Sequence, residues 1–383
     1  MNFSLLDFLE SIFFEFRYAP LIIQVAIIFV FVAVTLTLLA YFSILRRRFR
    51  GSQRDKKITR LNELIDDLLI ENVLSQDPET VETPGQTAET AAEAFHLPQF
   101  SKRWGRQVLI DRLLNYRNNV RGAMGDEIRT LYLLLELDKD SFKKLKSRKW
   151  NRKVRALNEL SSMEIGVADV IILPLTNSRN RELRAAARHA YIKLSKNEPF
   201  KFFDLATEPL LLWDQVELFR IITTTRHIAI PNFAQWITYS SNKSVISFCL
   251  KLVVHYNQLK AIPAVLKLLD TKDHLLRAEA INCLGKMKIA DVEDKLVYIY
   301  NNQPLNCQIE ILKALGRIGS GKHTEFLRQE FMLSTDFELR KHAAKSLTNT
   351  EPPGSELIGE LMETSTPENQ LILKHCMNPL IKF

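Results

Sequence analysis

The segment Gly316-Arg-Ile-Gly-Ser-Gly-Lys-His323 has most of the residues that a phosphate-binding loop requires. Such a loop reads G-x-x-x-x-G-K followed by Ser or Thr, whose hydroxyl binds Mg²⁺, and it comes directly after a strand. Here His323 stands at the hydroxyl position, and residues 309–318 have the pattern of a helix rather than a strand. Glycines that end a helix explain the segment better, so we predict no nucleotide site.

The histidines and cysteines do not form a pattern that indicates metal binding or nucleophilic catalysis. None of the eight histidines is followed by Glu, and the sequence contains no HxxxH or CxxC spacing. The four cysteines are scattered, which indicates reduced thiols packed as small apolar groups. They are Cys249, Cys283, Cys307 and Cys376. We therefore predict that the protein is not an enzyme and has no metal or other cofactor.

The strongest surface signal is a basic run between residues 139 and 155 with Trp150 inside it. A run of this kind suits an anionic lipid, an acidic protein segment or the phosphates of a nucleic acid. It is also what a solvated helix face looks like. We predict an anionic-surface binding site formed by Lys143, Lys144, Lys146, Arg148 and Lys149.

An uncharged stretch from Ala19 to Leu45 predicts a transmembrane helix. At about 1.5 Å per residue it would be roughly 40 Å long, enough to cross a hydrocarbon core of ~30 Å. Basic residues follow at once, beginning with Arg46-Arg-Arg-Phe-Arg50, whereas the preceding flank is acidic. By the positive-inside rule, the protein crosses the inner (cytoplasmic) membrane once and its C-terminal domain lies in the cytoplasm.

Composition and periodicity divide the remaining chain. An apolar stripe with a/d spacing predicts a helix that packs one face against another part of the protein or a partner. It consists of Ile58, Leu61, Ile65 and Leu68. The stretch after Leu74 is acidic, lacks Lys and Arg, and contains Pro, Thr and Gly, which is typical of a disordered linker. The predicted segments are 1–18 interfacial amphipathic segment, 19–45 transmembrane helix, 46–75 basic juxtamembrane helix, 76–96 acidic disordered linker, 97–139 N-terminal helical cap, 140–350 repeats and 351–383 C-terminal cap.

A repeat of 30 to 32 residues runs through most of the chain, with anchors at 153, 184, 215, 245, 277, 308 and 340. The third, fourth and seventh positions after each anchor are apolar, and Arg188 is the exception. These positions are Ala156, Leu157, Leu160; Ala187, Arg188, Tyr191; Leu218, Phe219, Ile222; Phe248, Cys249, Leu252; Ala280, Ile281, Leu284; Ile311, Leu312, Leu315; and Ala343, Ala344, Leu347. A fixed period of this length predicts an all-α solenoid with one continuous core.

The motif apolar-Arg-x-x-Ala-x-x-x-Leu-Gly resembles the HEAT repeat, in the short HEAT-like form frequent in bacteria. It is carried by Leu276, Arg277, Ala280, Leu284 and Gly285, and again by Leu339, Arg340, Ala343 and Leu347. The resemblance covers residues 140–350, although the repeats near 215 and 245 lack the Arg and the Gly. It implies a superhelix of helix pairs that binds other macromolecules, and it implies no chemistry by itself.

Together these features predict a membrane-anchored cytoplasmic scaffold or adaptor that binds a protein partner, as part of a membrane assembly. The alternative is a membrane-tethered binder of nucleic acid or anionic lipid, and an enzyme of HEAT fold comes third. A nucleic-acid partner fits a membrane anchor poorly, and no small-molecule substrate is evident in the sequence.

Overall fold

The computed structural model describes residues 18, 20–74, 86–120, 122–196, 198–225, 228–351, 354–378 and 380. The predicted interfacial segment 1–18 falls outside them, apart from Tyr18. In the described residues all regular secondary structure is helical, which confirms the all-α prediction. The chain divides into two compact units, Met1–Leu137 and Asp138–Phe383, and each is described by itself.

The first unit begins with α1, a helix of 49 residues from Leu21 to Leu69 that continues as a π-helical turn, Ile70–Leu74. Its first half is apolar, with a mean hydropathy of 2.8 over its most apolar window, and none of that window is buried within the protein. By length and composition this helix could cross a bilayer, as the sequence predicts.

The second half of α1 packs into the first unit. Leu61, Ile65, Leu69 and Val73 are buried at a spacing of four residues, against α4, Arg103–Asn119. The predicted stripe contained Leu68, but Leu68 is only half-buried and Leu69 takes its place in the core.

The two helices α1 and α4 are also joined by a polar contact. The Arg112 guanidinium donates to both carboxylate oxygens of Asp66, with an Nε–Oδ1 distance of 2.6 Å, and the Tyr116 hydroxyl donates to Oδ1 at 3.0 Å. The hydrogen bond to Asp66 raises the pKa of Arg112, because it stabilises the charged guanidinium.

The predicted acidic linker 76–96 is wrong over its second half. Residues Gln86–Ala94 form a helix, α2, in which Ala88 and Ala91 are fully buried. The amide of Ala88 donates to the Glu127 carboxylate at 3.0 Å, on the helix Ala123–Leu134. Alanine and glutamate are strong helix formers, so a segment of this acidic composition can form a helix. Here the alanine side of the helix is packed. Residues 75–85 are outside the described part.

The predicted boundary at residue 97 therefore falls inside the first unit. The remaining helices of this unit are α3, Pro98–Ser101, α4, Arg103–Asn119, and α5, Ala123–Leu134. Helix α5 packs against α2 and α4, and α4 packs against α1. The segment predicted as a cap thus shares a core with the end of the long helix α1.

The second unit consists of helix pairs. We call the second helix of each pair, taken together, the second layer. These helices are α7, Trp150–Ser162; α9, Arg181–Leu194; α11, Leu212–Thr224; α13, Lys243–His255; α15, His274–Lys286; α17, Leu305–Ile318; α19, Phe337–Thr350; and α21, Pro367–Met377. Their first residues recur every 31 residues from Trp150 to Leu305, which places the predicted period on one structural element.

The first helices of the pairs, called the first layer, are shorter, and three of them are extended by 3-10 turns. They are α6, Leu137–Leu145; α8, Asp169–Ile172, with the turn Leu173–Asn177; α10, Phe202–Leu205; α12, Ala234–Tyr239; α14, Ile262–Lys267, with the turns Leu259–Ala261 and Leu268–Asp270; α16, Glu293–Ile299, with the turns Ala290–Val292 and Tyr300–Asn302; α18, Thr324–Leu333; and α20, Glu356–Thr364. Neighbouring second-layer helices pack on one another, as α15, α17, α19 and α21 do in sequence.

The predicted register of the core is confirmed. Of the 21 core positions, all but Phe219 are buried. Arg188, the exception to the apolar pattern, is also buried, and its Nε donates to the Thr176 carbonyl at 3.1 Å. A hydrogen bond of this kind is what makes a buried guanidinium tolerable.

In two repeats the motif arginine ties its second-layer helix to the turn before it, whereas Arg340 donates to Glu368 and Asn369 on α21. Arg184 donates to the carbonyl of Ser178 at 2.7 Å, and Arg277 donates to the carbonyl of Thr271 at 2.6 Å. Both acceptors lie six residues before the arginine. The carbonyls belong to the turn that joins the two helices of a pair, so the arginine fixes that turn.

The glycine of the motif lets neighbouring second-layer helices approach closely. A Cβ on Gly285 would lie 2.7 Å from the Cα and Cβ of Ala314 on the next helix, α17. A Cβ on Gly316, one repeat later, would lie 2.6 Å from the Cα of Ser346 on α19. Any side chain at these positions therefore pushes two helices apart.

We expect Gly285→Ala to destabilise the second unit by about 1–3 kcal/mol, because the added methyl group overpacks the α15–α17 contact. Thermal unfolding followed by circular dichroism measures the loss. The matched control is Gly359→Ala, since Gly359 lies in α20 with no atom within 4 Å of the new methyl. That control should be neutral or more stable by up to about 1 kcal/mol, and equal destabilisation by both changes would contradict the packing argument.

Candidate anion-binding surface

The predicted basic cluster lies where α6 ends and α7 begins. Lys143 is on the last turn of α6, and Lys146, Arg148 and Lys149 occupy the turn before Trp150. All four basic side chains are exposed, and Trp150, the first residue of α7, is 45% exposed beside them. This places four of the five predicted residues together on the surface, which we call the basic cluster.

Lys144 does not belong to this surface, contrary to the prediction. Its side chain is buried, and its Nζ donates to Glu159 Oε1 at 2.6 Å. Glu159 lies on α7 and is itself buried, and it also accepts a hydrogen bond from the Ser141 hydroxyl. Lys144 therefore joins α6 to α7 inside the protein. It faces inward because a residue next to Lys143 on a helix points about 100° away from it.

A cavity of about 240 Å³ opens on the second layer, between α13, α15 and α17. Its polar lining alternates in charge, with Lys251 and Lys286 against Glu279 and Glu310. Asn282 donates to Glu310 at 2.6 Å, and Lys313 donates to the same carboxylate at 2.8 Å. No sequence motif marked this site, since its residues come from three repeats and meet only after the helices stack.

The thiol in the lining of this cavity has a raised rather than a lowered pKa. Cys283 lines the cavity, and burial raises the pKa of its thiol to about 12, so it is not a thiolate nucleophile at neutral pH. Within the part of the chain that the structure describes, no group of three or more His, Cys, Asp or Glu residues could hold a metal ion.

The glycine-rich segment 316–323 has the structure of a helix end. Gly319 adopts a left-handed backbone with φ of 68° and terminates α17, as predicted. Lys322 donates to Asp294 at 2.6 Å, and His323 contacts the same carboxylate at 2.9 Å. The lysine that a phosphate-binding loop would use is thus paired with an aspartate of the first layer.

Comparison with known proteins does not identify a family for this chain. No family model matches the sequence, and no curated protein matches it. Among solved structures, the crystal structure of Kap121p is similar, with 13% sequence identity and a TM-score of 0.31. The similarity covers 84% of this chain and 38% of that one. A likeness of this extent carries no argument about function.

Proposed function

We propose that the protein is a single-pass membrane-anchored adaptor whose helical repeats bind a protein partner beside the cytoplasmic face of the membrane. One observation carries this proposal. Helix α1 is a single element whose apolar first half contains no buried residue, while Leu61, Ile65 and Leu69 at its other end are buried in the first unit. The helix that would enter the bilayer is therefore also part of a folded core.

The orientation follows from charge. Eight Lys and Arg residues lie between Arg46 and Arg60, with Asp55 as the acidic residue among them. Basic residues next to a span remain on the cytoplasmic side and contact anionic headgroups. The part of α1 that carries these charges is exposed, which suits a stalk that leaves the membrane surface.

The repeats support the adaptor role. Each pair adds a similar unit to an extended surface, and such surfaces serve as binding platforms. The described residues bring together no nucleophile, base and acid that would favour a reaction. A second candidate function, binding of nucleic acid or anionic lipid, is favoured by the exposed basic cluster with its neighbouring Trp150.

The two functions are separated by one variant of the full-length protein, in which Lys143, Lys146, Arg148 and Lys149 are changed to Glu. The wild type should be recovered from membranes in mild detergent together with a protein partner. If the adaptor role is right, we expect the variant to retain that partner. Each basic residue contributes about 1 kcal/mol at an anionic membrane. If the cluster binds lipid, the unit Asp138–Phe383 prepared without α1 should therefore co-sediment with anionic vesicles, and the same unit with the four changes should not.

Recovery of the wild type in the soluble fraction, or a C-terminal reporter active only outside the cytoplasm, would overturn the proposed anchoring. Loss of binding to duplex DNA in the variant, with no protein partner in either sample, would favour the second candidate. Phosphate contacts weaken steeply as salt rises, so a salt titration identifies that outcome independently.

A further inference from the structure

The two layers of the second unit carry opposite charge. The second-layer helices contain 18 Lys and Arg residues against 8 Asp and Glu. The first-layer helices and their 3-10 turns contain 7 Lys and Arg residues against 13 Asp and Glu. The net charges are therefore +10 and −6 for two sets of helices that share one core.

Cations of the second layer contribute to the lowered pKa values of two of its histidines. The pKa of His189 is lowered to about 4, chiefly by burial and to a smaller extent by the neighbouring cations Lys193 and Arg220. His342, five repeats later, has a pKa lowered to about 4 by burial, with Lys313 and Lys341 acting in the same direction. Both histidines are neutral at pH 7, so the positive potential of the layer comes from its Lys and Arg residues.

The cavity between α13, α15 and α17 lies within this positive layer. Lys251 and Lys286 border it and are exposed, and Lys251 donates to Gln215 Oε1 at 2.7 Å. Leu250, Val254 and Ala278 supply apolar lining next to these charges. The site thus combines cations that can meet carboxylates with an apolar floor that can receive a side chain.

We infer that the second layer binds an acidic protein segment, anchored at this cavity through Lys251 and Lys286. The inference rests on the proposed adaptor function and specifies that the partner's binding segment is acidic. The carboxylates Glu279 and Glu310 also line the cavity and would repel a polymer of uniform negative charge such as a nucleic acid. A protein segment can place amides or apolar side chains opposite these carboxylates and its own acidic side chains opposite the lysines.

The first experiment measures binding of a fluorescent glutamate-rich peptide containing leucine to the full-length protein in detergent micelles. The test variant is Lys251→Glu with Lys286→Glu. The matched control is Lys260→Glu with Lys267→Glu, because these two exposed lysines lie on the first layer and give the same change in net charge. We expect the test variant to bind about tenfold or more weakly, since like charges then face each other, and the control to bind as the wild type does.

Equal weakening in both variants, or tighter binding of inorganic polyphosphate than of the peptide, would overturn the inference. A version of the peptide with glutamine in place of glutamate should bind weakly to all three proteins. The exposed positions make misfolding an unimportant risk, and the milder pair Lys251→Gln with Lys286→Gln checks it, because that pair should weaken binding by a smaller factor.

The second experiment locates the natural partner in cells with a photo-cross-linking amino acid at Val254 or, on the first layer, at Tyr298, which is 86% exposed. We expect Val254 to cross-link a protein segment of net negative charge, and the cross-link to disappear with the two Lys→Glu changes. A partner that cross-links only from Tyr298 overturns this inference and leaves the adaptor function standing. The absence of any protein partner from the wild type overturns both.

Discussion

Replacement of Leu284 by Asp should unfold the middle of the repeat array. Leu284 is completely buried on α15, at a core position of the repeat. The change removes a buried apolar side chain, which costs about 2–5 kcal/mol. It also places a carboxylate in an apolar core, which adds about 1–3 kcal/mol or more. Domains are stable by about 5–15 kcal/mol, so the sum is a large part of the total.

The effect should spread to the neighbouring repeats, because each repeat of a solenoid is stabilised by its contacts with the next. Hydrogen exchange should show lost protection in α13 and α17 as well as in α15. Leu275→Asp is the matched control, since Leu275 lies on the same helix and is 63% exposed. If the two variants melt alike and resist protease equally, the core register is wrong.

The core register could be predicted because a solenoid has a simple rule. Every repeat must bury the same positions, so the spacing of Ala280, Ile281 and Leu284 recurs at Ala343, Ala344 and Leu347 without reference to distant contacts. Even Arg188 is buried at its repeat position, and its Nε donates to the nearby backbone carbonyl of Thr176. Local periodicity and tertiary burial carry the same information in such a fold.

The segment 86–94 could not be predicted in the same way. Its alanines are buried by elements outside the segment, α5 and the turn Ile70–Leu74, through contacts such as that between Ala88 and Glu127. Alanine contributes little to a hydrophobic pattern, and the preceding Pro and Thr residues resemble a linker. The helix is therefore specified by partners outside its own stretch of sequence.

The positive charge of the basic cluster could be predicted from the sequence, but which of its residues are exposed could not. Lys143 and Lys144 are adjacent in sequence and identical in type, yet only Lys143 is exposed. Burial of Lys144 depends on Glu159, fifteen residues away on the next helix. The opposite charges of the two layers were available in the sequence, but they appear only when the helices of each pair are counted separately.

Glu159→Ala is expected to destabilise the second unit by about 3–5 kcal/mol, because it leaves the buried ammonium of Lys144 without this carboxylate. The two side chains are 9% and 1% exposed, so water cannot replace the lost interaction. The Ser141 hydroxyl loses its acceptor at the same time. The helices α6 and α7, which present the basic cluster, should loosen with respect to each other.

The apolar double variant Lys144→Met with Glu159→Leu separates the charge effect from simple loss of packing. Replacing a buried ion pair by apolar residues of similar volume is often neutral or stabilising, so the double variant should recover most of the stability that Glu159→Ala loses. Chemical denaturation of the full-length protein in detergent, followed by circular dichroism, measures both. If it instead remains as unstable as Glu159→Ala, the shape of this contact matters more than its charge, and the role assigned to Lys144 is wrong.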